Sequence, residues 1–197
     1  MPQARQRKSN SRLDLLLDAA ASHFAAKGYR ETTIREISNS IGMLPGSVYY
    51  HFPSKHELLL AVYEEGVRRM LERVKDATER SSDDPWQRVE ATLVAHLDAI
   101  LDQSDYARVL ISVRPEQVPE VGKELRALRS RYEDHLRAQI ESLPLPRGSD
   151  RHLLRLMLIG AANWAQIWYR PGGQSPGEIA KAFVDFLRKP LANMGSE

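Results

Sequence analysis

Apolar side chains recur every three or four residues along most of this chain, and strand signals are almost absent. That regularity restricts the fold to packed helices. Leu13, Leu16, Leu17, Ala20 and Phe24 mark one face of a first helix, which Gly28 ends. Thr33 and Glu36 have capping-box spacing and open a short second helix with Ile34, Ile37 and Ile41 inward, stopped by Gly42. Pro45 opens a third short helix running to about Phe52, and Pro53 ends it. Ser54, with Glu57 three residues later, caps a long fourth helix from Lys55 to about Arg80. The cluster from Ser81 to Pro85 is a break. Beyond it the periodicity predicts helices from Trp86 to about Gln103, Tyr106 to Val113, Glu120 to Ser142 and Arg151 to Tyr169. A last helix carries Ile179, Ala182, Phe183, Phe186 and Leu187 and stops before Pro190. The expected fold is all-α with about nine helices. A three-helix domain covers residues 1–56, with an N-terminal arm over 1–10, and a helical body covers 57–197.

The 197 residues contain no cysteine, which excludes disulfides, thiolate metal sites and a cysteine nucleophile, and fits a reducing compartment. There is no run of 18 apolar residues, so no membrane span is expected. The segment LDLLLDAAASHF carries two aspartates and is a poor signal-peptide core. The expectation is a cytoplasmic protein. Net charge is +2, but it is unevenly spread. Residues 1–56 hold eight Lys/Arg against four Asp/Glu, and the rest hold twenty against twenty-two. A basic front on a mildly acidic body implies that the front meets a polyanion.

Two short helices joined by a tight Gly-containing turn form a helix-turn-helix, whose second helix fits the major groove of DNA. In GMLPGSVYYHFPSK, Gly42 to Lys55, Val48 and Phe52 are four apart and should turn inward. Tyr49, Tyr50 and His51 then face outward, where a phenol or imidazole can bond phosphate oxygens. Pro45, Gly46 and Ser47 keep the start of that helix small enough for bases to approach. Lys55 adds a point charge. Thr33 offers a hydroxyl and helix-start amides to an anion.

These residues carry a resemblance. Gly28-Tyr29-x-x-Thr32-Thr33-Ile34-x-x-Ile37, followed by Gly42-x-x-Pro45-Gly46-Ser47-Val48-Tyr49-x-His51-Phe52-x-Ser54-Lys55-x-x-Leu58-Leu59, resembles the DNA-binding domain of TetR-family bacterial repressors. The likeness runs ungapped over some fifty residues. It implies an all-helical homodimer that binds a palindromic double-stranded operator and leaves it when a small molecule enters the C-terminal domain. It implies phosphate contacts from Thr33 and Tyr49, and a groove-facing role for Pro45, Gly46, Ser47, Tyr50 and His51. Lys55 matches a family lysine that touches the DNA backbone. Two features depart from the pattern. Leu44 stands where the family usually has a capping Ser or Thr. The recognition helix also has no Arg, Lys, Asn or Gln, the side chains suited to two-pronged base contacts. Specificity is then expected from few direct contacts, from thymine methyls and from the arm residues Arg5, Arg7, Lys8 and Arg12.

In the body, the helix LLRLMLIGAANWAQIWYR stands out for its apolar character. Gly160 and Ala161 allow close approach, and Trp164 and Trp168 share a face. Leu153, Met157, Gly160, Ala161 and Trp164, with Ile179, Phe183 and Phe186 of the last helix, suit a four-helix interface between two copies. The alternative is that the tryptophans fill the protomer's own core. The segment from Gly160 to Ala180, with Asn163, Pro171-Gly172-Gly173 and Glu178, resembles TetR-type regulators of fatty-acid, steroid-ring and aromatic-acid breakdown that respond to acyl-CoA thioesters; Gly42-Met43-Leu44-Pro45-Gly46-Ser47 resembles that group too, which makes Leu44 a subgroup trait. An acyl-CoA needs an apolar tunnel and cations near its mouth. Met70, Leu93, Leu97 and Leu110 are candidate walls. Arg114, Arg129, Arg155 and Arg170 are candidate phosphate or ribose partners, and Trp164 or Trp168 could stack on adenine. His96, at helical spacing with apolar neighbours, reads as a satisfied core histidine sooner than as a ligand contact. An efflux-type regulator sensing drug-like cations is the competing reading, with Asp98 and Asp102 as carboxylates. An acyl-thioester hydrolase has little to support it: there is no G-x-S-x-G elbow and no His-x-x-x-His pair. No enzymatic role, cofactor or metal is expected.

Overall fold

The computed structural model describes the backbone of residues 2–102 and 104–193 and the side chains of residues 12–102 and 104–188. Among these it contains nine α-helices and no strand. They are α1 (Pro2–Lys27), α2 (Ile34–Ser40), α3 (Pro45–His51), α4 (Lys55–Arg80), α5 (Pro85–Leu101), α6 (Asp105–Ser112), α7 (Gly122–Glu141), α8 (Arg151–Trp168) and α9 (Pro176–Asn193). A 3-10 turn at Pro115–Gln117, unforeseen in the sequence, lies between α6 and α7.

Local chemistry sets most of these boundaries. At α2 the Glu36 amide donates to Thr33 Oγ1 at 3.2 Å, and Glu36 Oε2 accepts from the Thr33 amide at 2.8 Å. The same reciprocal pair, Ser175 with Glu178, opens α9. Ser54 accepts from the Glu57 amide at the start of α4. Asp84, Ser104 and Asp150 cap α5, α6 and α8. Gly28 (φ 86°) and Gly42 (φ 65°) end α1 and α2 in the left-handed region, which glycine adopts without strain.

Two boundaries differ from expectation by more than two residues. The first helix begins at Pro2 and not near Leu13, so residues 2–10, expected as an arm, continue α1. Proline suits a first turn, and Ala, Gln, Arg and Lys after it favour helix. The side chains of Arg5, Arg7 and Lys8 lie outside the described residues. The last helix continues through Pro190 to Asn193, since a missing N–H so near the end removes a single helical bond.

The chain divides into two compact units: the described residues of Met1–Arg68 with Ser104–Arg129, and those of Arg69–Gln103 with Ser130–Glu197. Residues of α4 and α7 contribute to both. In the first unit α1 packs on α2 and α6, and α2 packs on α3. Its core holds Leu16, Ala20, Phe24, Ile37, Val48, Leu58 and Tyr63. The Tyr106 hydroxyl donates to Asp18 at 2.8 Å and ties α6 to α1. In the second unit α5 packs on α8 and α9, around Val89, Leu93, Leu97, Leu136, Ile140, Ala162, Ala165 and Val184.

Candidate nucleic-acid interface and regulatory body

Helix α3 divides its rings as its periodicity predicts. Val48 is fully buried and Phe52 half-buried, while Tyr49 and His51 are exposed and Tyr50 is 86% exposed. The Tyr50 and His51 rings meet edge-on with centroids 5.3 Å apart. Pro45 is half-buried, and Gly46 and Ser47 are open to solvent. Leu44 occupies the N-cap of α3 with extended backbone (φ −76°, ψ 142°) and no side-chain acceptor for the helix amides. A groove of about 850 Å³ runs beside α3, lined among others by Arg12, Leu15, Met43, Leu44, Ser47 and Tyr50. Neither Leu15 nor Met43 was among the expected site residues. Their proximity to α3 depends on how α1 and the turn pack, which no local pattern encodes.

Thr33 and Lys55 do more inside the chain than their sequence context shows. The Thr33 hydroxyl and amide are both engaged with Glu36. The Lys27 ammonium beside Glu36, followed by the Thr33 hydrogen bonds, holds that carboxyl down at about 2. The Lys55 ammonium donates to the carbonyls of Tyr29, Arg30 and Thr32 at 2.9, 3.1 and 2.9 Å. It also lies 4.5 Å from the centre of the Tyr29 ring. Burial lowers its pKa. Its three hydrogens fasten the α1–α2 connection to the start of α4. Lys55→Met is expected to destabilise the chain by about 2 kcal/mol through the lost charge-assisted bonds. Chemical denaturation with the helical circular dichroism signal checks it; an unchanged midpoint would contradict the clamp.

Of the candidate effector residues, Met70, Leu93, His96 and Leu97 are buried in the second unit. His96 Nδ1 lies 2.5 Å from the Tyr132 hydroxyl and Nε2 lies 3.1 Å from Asn163 Oδ1. Asn163 Oδ1 accepts, so Nε2 carries the proton and Nδ1 receives the tyrosine hydroxyl hydrogen. Burial pushes the His96 pKa down to about 4, and the ring is neutral. His96 is thus a fully partnered core histidine joining α5, α7 and α8. Arg155, a candidate phosphate partner, is buried and paired with Glu133. Arg170 is exposed and donates to the carbonyls of Ile167 and Tyr169 at the end of α8. In the first unit, Arg129 donates to the Tyr63 hydroxyl at 2.7 Å and to the Leu110 carbonyl at 3.1 Å. Leu110 is half-buried against Gly66, where an added Cβ would sit 3.2 Å from the leucine. Arg114 is exposed.

The apolar residues of α8 separate into two faces. Leu158, Ala162 and Ala165 are buried in the unit's own core. Leu153, Leu156, Met157, Trp164, Ile167 and Trp168 point outward, with Trp164 63% exposed, so the tryptophans do not fill the protomer's core. Gly160 is exposed and Ala161 half-buried. On α9 Phe186 is exposed and Phe183 half-buried, whereas Ile179, expected with them at a dimer interface, is buried by its own chain. It sits in the first turn, on the α9 face shared with Ala180 and Val184 toward the core. No helix among the described residues is long and apolar enough to cross a membrane, and no group of three metal-ligating side chains occurs among them.

A helix-turn-helix with an outward ring face, carried on a chain with a separate helical body, defines a transcription regulator. The chain belongs to the TetR family of bacterial regulatory proteins. The family's N-terminal domain matches residues 16–62, and the tetracyclin repressor-like C-terminal domain matches residues 82–191. The HTH-type transcriptional repressor KstR2 of Mycobacterium tuberculosis (strain ATCC 25618 / H37Rv) is 30% identical over 173 residues, covering 83% of this chain and 84% of KstR2. Among solved structures, the superantigen PfiT shares 29% identity with a TM-score of 0.73, covering 87% of this chain and 93% of PfiT. AibR, crystallised with isovaleryl coenzyme A and operator DNA, shares the fold at 22% identity and a TM-score of 0.72, over 87% of this chain and 95% of AibR. One fold thus serves proteins of different description, and function resides in each chain's own site residues.

Proposed function

We propose that the protein is a homodimeric repressor that binds a palindromic operator through α3 and releases it on binding an acyl-CoA thioester. The observation that carries this is the outward face of α3: Tyr49, Tyr50 and His51 project from a helix anchored by buried Val48. These side chains suit phosphate and groove contacts, while Thr33 and Lys55 fix the geometry beneath them. Residues 1–56 form the DNA-binding part and 57–197 the regulatory and dimer-forming part, in the cytoplasm where the operator lies. The exposed face of α8, with Phe186 of α9, is the surface on which two copies meet.

The effector class is drawn from relatives, and the apolar residues Met70, Leu93 and Leu97 of the body are compatible with it. KstR2 is described as a ketosteroid regulator, and the Bacillus subtilis FadR structure was solved with stearoyl-CoA. Of the second unit's candidate cations, Arg170 is the exposed one for CoA phosphates, because Arg155 is buried and paired with Glu133. In the proposed mechanism, ligand in the body tilts α4, continuous from Lys55 to Arg80, and changes the spacing of the two recognition helices. Thermal shift against acyl-CoAs of graded chain length, the matching free acids, and cationic dyes tests the effector. A shift of several degrees with acyl-CoAs is expected. Stabilisation by dyes alone would replace the acyl-CoA reading with a drug-sensing one.

A further inference from the structure

We propose that Leu44 reads thymine methyl groups in the operator, with Leu15, Met43 and Tyr50 completing an apolar lip around the contact. The proposal rests on the DNA-binding reading and deepens it. Helix α3, PGSVYYH, has no Arg, Lys, Asn or Gln, so it lacks the side chains that read a guanine or adenine edge with two bonds. Ser47, Tyr49, Tyr50 and His51 can each supply single hydrogen bonds, which discriminate weakly. What the surface has in their place is apolar area. Leu44 is 76% exposed and Leu15 is 57% exposed, and both line the same groove as Ser47, Tyr50 and His51. The lip is therefore continuous with the face of α3 that meets the duplex.

Leu44 has no role within the chain that explains it. It sits at an N-cap, where Ser, Thr, Asp or Asn would satisfy a helix amide, and it satisfies none. Its side chain is not packed either. In the major groove, thymine alone presents a methyl group, and apolar side chains are its natural partners. A leucine set against cytosine N4 or guanine O6 would strip water from a polar edge and give no hydrogen bond back. Arg12, which lines the same groove, places a positive charge beside the lip where phosphates would run.

The test uses the full-length protein and a duplex enriched by it from a random-sequence library. Thymines in each half-site are replaced singly by deoxyuridine, which removes the methyl and leaves the hydrogen-bonding edge intact. Wild-type protein is expected to lose about fourfold in affinity at one or two thymines per half-site, the value of one buried methyl. Leu44→Ala and Leu44→Ser should bind the thymine duplex more weakly and be indifferent to deoxyuridine at those positions. Leu44→Ser also supplies the missing cap, so its melting temperature should rise while methyl sensitivity disappears. A merely structural leucine would give neither half of that pair. The proposal is overturned if wild-type protein tolerates deoxyuridine everywhere, or if Leu44→Ser retains the sensitivity. Enrichment of no duplex at all would overturn the DNA-binding reading itself, an outcome distinct from a bound but methyl-insensitive duplex.

Discussion

Trp164→Glu is expected to convert the proposed dimer to a monomer without unfolding it. Trp164 lies on the outward face of α8 with Leu153, Met157 and Ile167, at helical spacing, and Phe186 of α9 is 74% exposed. Large apolar side chains gathered on one face mark a surface that another molecule covers. A second copy meeting the same face gives a closed two-fold assembly in which every substitution acts twice. A buried interface tryptophan is worth about 2 kcal/mol or more, so the doubled effect is about 4 kcal/mol, or roughly a thousandfold in the dimer constant. Two buried glutamates facing each other add to that. Since the side chain is exposed in the protomer, circular dichroism and thermal unfolding of the monomer should keep a cooperative helical transition. Sedimentation velocity across a concentration series measures the outcome. A dimer as tight as wild type would move the assembly surface elsewhere. Ile179→Ala is the contrasting variant: Ile179 is buried by its own chain, so its loss should lower stability in the protomer itself.

Acid should weaken the body of the protein over a defined window, and His96 should account for much of it. The ring is fully enclosed, hydrogen-bonded by Tyr132 and Asn163, and titrates at about 4 when folded against about 6.5 when unfolded. Between those values the unfolded chain binds the extra proton, so stability rises with pH across the window and falls as pH drops through it. Above about 6.5 both states are neutral and His96 adds no pH dependence. The full loss from pH 6.5 to 4 is about 3 kcal/mol. His96→Leu removes the titration and orphans the Tyr132 hydroxyl, so it should lower stability at pH 7 while flattening the slope below pH 6.5. The slope is the diagnostic quantity. Denaturant unfolding at half-unit pH steps gives it, and equal slopes for wild type and variant would remove His96 from the acid response.

The helix boundaries were legible wherever a single side chain sets them. Thr33, Ser54, Gly28 and Gly42 act within one turn of their own position, and their spacing is visible in one dimension. The inward and outward faces of α3 were legible for the same reason. Contacts between helices were not. The carbonyls of residues 29, 30 and 32, to which the Lys55 ammonium donates, leave no mark in side-chain sequence. The four candidate arginines were alike in the sequence. Folding separates them: Arg155 finds Glu133, Arg129 finds Tyr63, and Arg114 and Arg170 stay exposed. Ile179 belongs to the same apolar stripe as Phe183 and Phe186, yet the stripe is wide enough to wrap from core to surface, and periodicity cannot say where it turns.

The most direct test is an equilibrium titration of the full-length protein against a fluorescent duplex carrying a palindrome from its own upstream region, repeated across salt concentrations and with added acyl-CoA. The account predicts dimer binding per palindrome, an affinity falling linearly with salt on a double-logarithmic plot, and release by acyl-CoA at constant salt. Failure to bind any such duplex at low salt, or an affinity indifferent to salt, would contradict it.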